Sequence, residues 1–269
     1  MTSPAVAWWH TLLRAIAVLN LALWSLTAVA VTSGQAVTHT RTGDVALHMQ
    51  LLLSAVYVLG CAFRSWLPVY DIPRLVLVDS RLSSILVGRS VATVAELCFA
   101  AQWALILHSV AVLTGSPFGQ VVSIAIVPLI VLAEGCSWHA VLTTAQRGHI
   151  AENSLWGISA ALVVASLLVI GPHRLAELHP PMIAWCVGGI LYVGYMFFFD
   201  VPMYWTRWRS DQTNKRRYLS ITDGVLDVSR RWTVSYRWED WKDEVLWMSL
   251  YFTFAVWISI SLIYASVTL

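Results

Sequence analysis

Apolar residues along this chain gather in long runs separated by short polar punctuation. Seven runs reach the ~20 residues that a helix rising 1.5 Å per residue needs to cross a hydrocarbon core of about 30 Å. They cover approximately 8–32, 45–66, 90–114, 119–145, 151–171, 181–205 and 245–267. Backbone polar groups find no water in lipid, so each run is expected to be helical, and the ten-residue alternation of an outer-membrane barrel is missing. Breakers stand where the runs end: Ser33-Gly34, Gly115-Ser116-Pro117, Gly171-Pro172 and Pro180-Pro181. Only Gln146-Arg147-Gly148-His149 separates the fourth and fifth runs, which implies a tight antiparallel hairpin. The first run is too long for a signal-peptide core and lacks a strongly basic start, so it reads as a retained helix. The expected fold is all-α: one transmembrane domain over residues 1–269, a polytopic seven-transmembrane-helix bundle.

Orientation follows from the placement of Lys and Arg, which are retained on the cytoplasmic side. Arg64, Arg74, Arg81 and Arg89 follow the second run, Arg147 follows the fourth, and nine basic residues from Arg207 to Lys242 follow the sixth. The opposite loops hold only Arg41 and Arg174. The bias predicts N-in, C-out. Residues 67–89 and 206–244 then form cytoplasmic loops with amphipathic segments, including a short interfacial helix from Leu75 to Val87. The long loop carries acidic residues almost in balance with its basic ones, unlike a polybasic lipid switch. Ten of the 15 tryptophans, among them Trp8, Trp9, Trp66, Trp205, Trp238 and Trp241, fall near predicted cytoplasmic ends and read as an interfacial belt.

Composition agrees with lipid as the main solvent. The chain is 58% hydrophobic and 12% charged, with a mean hydropathy of +0.68, whereas a soluble domain carries roughly twice that charge. The expected location is integral and multi-pass, which in a bacterial cell would mean the cytoplasmic or inner membrane. Cys61, Cys98, Cys136 and Cys186 all sit inside apolar runs and suggest small buried hydrophobes rather than disulfides. A net charge of +2 without a basic stripe argues against nucleic acid. The only lysines, Lys215 and Lys242, lie outside the apolar runs, which excludes a retinal Schiff base, and no phosphate-binding GxxxxGK[ST] loop occurs.

Against this background, polar residues inside the runs stand out, because a charge at the bilayer centre costs at least ~2.5–3.5 kcal/mol even on lenient scales. Glu96 lies in the third run, Glu134 and His139 in the fourth, Glu152 and Asn153 open the fifth, and Asp200 is near the end of the sixth. With N-in topology, Glu96 and His139 lie ~10 Å from the cytoplasmic ends of their helices and Asp200 ~8 Å. These groups fall in one leaflet on consecutive helices. Glu134 and Ser137, three apart, share a helix face; Glu134 and His139, five apart, diverge by about 140°. Glu96, Glu134, His139 and Glu152 form a candidate metal-ligand set, with Glu96, Glu134, His139 and Asp200 as candidate acid/base groups. Carboxylates with imidazole suit Fe, Mn or Zn. The chain has no Glu-x-x-His, the pairing that di-iron bundles use. The competing reading treats the same side chains as hydrogen-bonding groups that tie helices together.

These residues predict an intramembrane enzyme with a carboxylate/His site in the cytoplasmic half of helices three to six, metal-dependent and acting on a lipid or other small membrane-soluble molecule. A proton-coupled transporter using the same carboxylates is one alternative, although no repeated halves are evident. A non-catalytic subunit of an oligomer or membrane complex is the other. Membrane lipids are partners under every version. His48 and His108 are spaced for a haem only in outline, and His10, His39, His149, His173 and His179 occupy boundaries without a ligating spacing.

Overall fold

In the computed structural model of the chain, residues 3–33, 41–171 and 179–268 are described, without the side chains of 41–44 and 179. The expected breakers Gly34 and Pro172, the loop histidines His39 and His173, and Arg174 lie outside the described residues, as do the side chains of Arg41 and His179. Among the described residues, seven helices are long and apolar enough to cross a membrane: Pro4–Thr32, Val45–Trp66, Ile85–Leu113, Pro117–Thr143, Arg147–Ile170, Pro180–Thr213 and Trp238–Thr268. The sixth and seventh are each interrupted by a π-helical turn, at Met196–Asp200 and Tyr251–Ala255. Helices are labelled α1 (Pro4–Thr32), α2 (Arg41–Trp66), α3 (Ile85–Leu113), α4 (Pro117–Thr143), α5 (Arg147–Ile170), α6 (His179–Tyr195), α7 (Val201–Thr213), α8 (Ile221–Arg230), α9 (Trp238–Leu250) and α10 (Val256–Thr268). They pack as two compact units, Met1–Phe99 with Val225–Val267, and Ala100–Gly224 with Thr268–Leu269.

In the first unit, α1, α2, the opening turns of α3 and the α9–α10 helix enclose a core that includes Trp9, Leu13, Tyr57, Trp241 and Phe252. Trp9 and Trp241 are 1% and 0% exposed with ring centroids 5.6 Å apart, so both belong to the core and not to a belt. Burial is tolerable because each indole N–H has an acceptor: Trp9 donates to Ser249 Oγ at 3.1 Å and Trp241 to the Ser235 carbonyl at 2.9 Å. Trp8, Trp66 and Trp238 are exposed, as the belt reading expects. The π turn at Tyr251–Ala255 disturbs the regular carbonyl ladder. Asn20 Nδ2 donates to the Phe252 carbonyl there at 2.7 Å, while the Trp257 indole donates to Asn20 Oδ1 at 3.1 Å.

Where an amphipathic helix was expected at Leu75–Val87, the chain instead forms β1 (Val69–Tyr70), β2 (Leu75–Val76), a 3-10 turn at Arg81–Ser83 and the start of α3 at Ile85. β1 pairs antiparallel with β2, and β2 pairs parallel with β3 (Thr233–Val234). Arg74 stabilises this junction: Nε meets Asp227 Oδ2 of α8 at 2.9 Å and Nη1 donates to the Asp71 carbonyl at 3.0 Å. Tertiary pairing with a segment far along the chain overrode the local alternation.

In the second unit, α4 and α5 form the expected tight hairpin. Thr144 takes a left-handed conformation, φ 60°, at the end of α4, and Thr143 Oγ1 accepts from the Ala145 amide at 3.3 Å. The Leu219 amide donates to the Thr143 carbonyl at 3.0 Å, satisfying a terminal acceptor of α4. The helices touch at Gly148, where a Cβ would stand 2.5 Å from the Cys136 carbonyl oxygen. Only glycine permits that approach. Gly157 packs against the Met196–Asp200 turn, where a Cβ would lie 2.8 Å from the Phe197 ring and push that side chain aside.

Candidate functional site

The α4–α5 hairpin brings acidic side chains together. Glu134, on the inward face of α4, is 3% exposed, and Glu152, one turn into α5, is 7% exposed. Each offers a carboxylate oxygen within 4.8 Å of the other's. Ser137, fully buried one turn beyond Glu134, shares its face. Two acidic groups this close in an apolar surrounding require a shared cation or hydrogen-bonding partners.

One partner is His149. Its Nδ1 lies 2.7 Å from Glu152 Oε2, across a single turn of α5. The imidazole is itself buried and faces the Tyr204 ring of α7, centroids 4.9 Å apart, with the Arg207 guanidinium 5.4 Å from the other's ring centre. The His149–x–x–Glu152 spacing was the sequence signal for this pair, hidden because His149 stands in a four-residue polar turn and reads as a boundary residue. It is the reversed form of the Glu-x-x-His pattern whose absence argues against a di-iron site.

Asp200 closes the π turn between α6 and α7. Its Oδ2 accepts from Asn153 Nδ2 of α5, and Glu152, His149 and Arg207 lie within electrostatic range of it, with the Tyr195 hydroxyl as a hydrogen-bonding neighbour. Pro202, two residues on, has no N–H to donate, which favours an irregular turn at this point. The Asn153–Asp200 bond thus fastens that turn beside the Glu152–His149 pair.

His139 points elsewhere. It lines a shallow depression of about 490 Å³ with Val131, Leu132, Gly135, Cys136, Arg147, Gly148 and Ala151. Those α4 positions recur at three and four residues, the face opposite to Glu134, as the 140° offset requires. Glu96 belongs to the first unit. There Arg89 Nη2 donates to its Oε2 at 3.2 Å and the Tyr251 hydroxyl to its Oε1 at 3.3 Å. Arg89 and Glu96 are seven apart, two turns along one face of α3, so the helix supplies its own countercharge. Tyr57, stacked on Phe99 with centroids 4.6 Å apart, packs edge-on to Tyr251.

His108 Nδ1 pairs with Ser123 Oγ at 3.2 Å and His10 Nε2 with the Trp66 carbonyl at 3.1 Å. The first bond joins α3 to α4, and the second joins α1 to the end of α2. Comparison with protein-family models, with curated proteins and with solved structures returns no match.

Proposed function

We propose that the chain is a multi-pass integral membrane protein, N-in and C-out, whose Glu134–Glu152 pair binds a divalent metal ion and acts with it on a lipid-like or other membrane-soluble substrate. The observation that carries this reading is the pair of buried carboxylates on adjacent helices, one of them already engaged by an imidazole. Fe, Mn and Zn suit such donors, and a hydrogen bond from His149 to a ligating carboxylate would fix its orientation. A bound metal polarises a carbonyl or activates water; His149 is placed to move a proton, and Asp200 with Asn153 holds the neighbouring turn. Retention of Arg and Lys around 67–89 and 206–244 supports the orientation.

A specific observation also favours a proton-coupled carrier. Glu134, Glu152, His149 and Asp200 form a near-continuous series of titratable groups within the second unit, and such chains serve as proton relays. Elemental analysis of detergent-purified protein separates the readings. The enzyme reading expects one metal per chain, lost in Glu134→Gln and Glu152→Gln; Glu96→Gln and His139→Ala are measured alongside because the sequence pattern nominates them too. Absence of metal with proton-dependent solute uptake into vesicles supports the carrier. Absence of both leaves the subunit reading. Orientation is tested by labelling Lys215→Cys and Thr114→Cys with an impermeant maleimide in intact cells: Thr114→Cys should react and Lys215→Cys should not, and the reverse result overturns the topology.

A further inference from the structure

We infer that the depression on the outer face of the α4–α5 hairpin binds one anionic phospholipid, its phosphate at Arg147 and His139 and its acyl chain along Val131, Leu132 and Gly135. The depression, about 490 Å³, falls within the range of roughly 300–1,000 Å³ typical of small-molecule sites. Its walls are apolar, and its two cationic or protonatable groups are gathered at one end. Arg147 is exposed, and among the described residues neither its side chain nor that of His139 has a hydrogen-bonding or ion-pair partner. Arg147 is also the first residue of the 24-residue α5, so the positive end of the helix dipole adds to its charge.

The arrangement has the dimensions of a lipid lying in one leaflet. His139 is eight residues from Val131, about 12 Å along α4, and one leaflet contributes about 15 Å of hydrocarbon. Resting on the bilayer placement proposed above, the cationic end sits where headgroups are and the apolar wall where tails are. Gly135 lies between them, with nothing within 4 Å of where a Cβ would stand. Glycine there leaves room for a chain to lie against the helix backbone. A neutral headgroup would gain little from Arg147, and free phosphate would leave the apolar wall uncovered.

The test uses the full chain in neutral maltoside micelles, titrated with dioleoyl phosphatidylglycerol, dioleoyl phosphatidylcholine or sodium phosphate and read by native mass spectrometry. The expected result is one tightly bound phosphatidylglycerol per chain, at least tenfold preferred over phosphatidylcholine and not displaced by millimolar phosphate. Arg147→Gln should abolish the preference. Gly135→Leu, which fills the depression without meeting backbone, should weaken phosphatidylglycerol binding tenfold or more while circular dichroism stays unchanged. Equal binding of the two lipids, variants that bind as the parent does, or displacement by phosphate alone would each overturn the proposal. Failure here is distinguishable from failure of the metal site, because Glu134→Gln should lose metal and keep the lipid, whereas Arg147→Gln should do the opposite; the maleimide labelling separately reads the bilayer placement.

Discussion

Replacing Gly148 with alanine tests whether the α4–α5 approach is what assembles the acidic pair. The new Cβ would stand 2.5 Å from the Cys136 carbonyl oxygen, 2.7 Å from the Ala140 Cβ and 2.9 Å from the Ala140 amide nitrogen. Two of those three neighbours are backbone atoms of α4, so no side chain can swing away. Reaching tolerable contact requires the helices to part by about 0.5–0.9 Å. Overpacking of this kind costs roughly 1–3 kcal/mol, offset by at most ~1 kcal/mol from alanine's better helix propensity. The expected net loss is about 1–2 kcal/mol, read as a lowered midpoint in detergent thermal unfolding. Gly148 precedes His149 directly and is one turn from Glu152, so the same displacement separates Glu152 from Glu134 and should weaken metal binding at least tenfold. Gly188→Ala is the control: nothing lies within 4 Å of its Cβ position, and stability should hold or rise. Gly148→Ala protein as stable as the parent, with unchanged metal affinity, would refute the reasoning.

Asn20→Leu leaves the Phe252 carbonyl and the Trp257 indole N–H without their bonds of 2.7 and 3.1 Å, and should cost about 1–3 kcal/mol in denaturant unfolding. Asp227→Asn removes the countercharge of Arg74, which is 5% exposed, and should destabilise by about 3 kcal/mol; Arg231→Gln, whose side chain is 78% exposed in its pair with the same carboxylate, should stay within about 0.5 kcal/mol. Asn153→Leu withdraws the donor that holds Asp200, so amide hydrogen exchange within 196–200 should speed up while unfolding midpoints change little.

The seven long helices were legible because each carries an unbroken apolar run long enough to cross a membrane, and the breakers Gly115, Pro117 and Pro180 stood where the runs ended. Helix starts were less so. α3 begins at Ile85 rather than at 90, and α9 at Trp238 rather than at 245, because charged residues such as Arg89, Lys242 and Glu244 are carried on helix turns that a hydropathy run excludes. The β1–β2–β3 sheet was hidden: two-residue strands leave no period, and the partner Thr233–Val234 lies far along the chain. Within the site, Glu134 and Glu152 were visible as polar residues in costly places. His149 was not, since its meaning depends on the next turn of α5 and on Tyr204 of another helix.

The π turn at Met196–Asp200 holds one residue more than a regular helix of the same rise would need. Everything beyond it is therefore rotated by about 100° relative to an uninterrupted α-helix. Tyr204 owes its stacking on His149 to that offset. Deleting Phe198, whose side chain is already exposed, would return the helix to a single frame and swing Tyr204 and Arg207 away from α5. The two halves of this span are thus phased independently: one can change the side chains it shows to its surroundings without re-aiming the other.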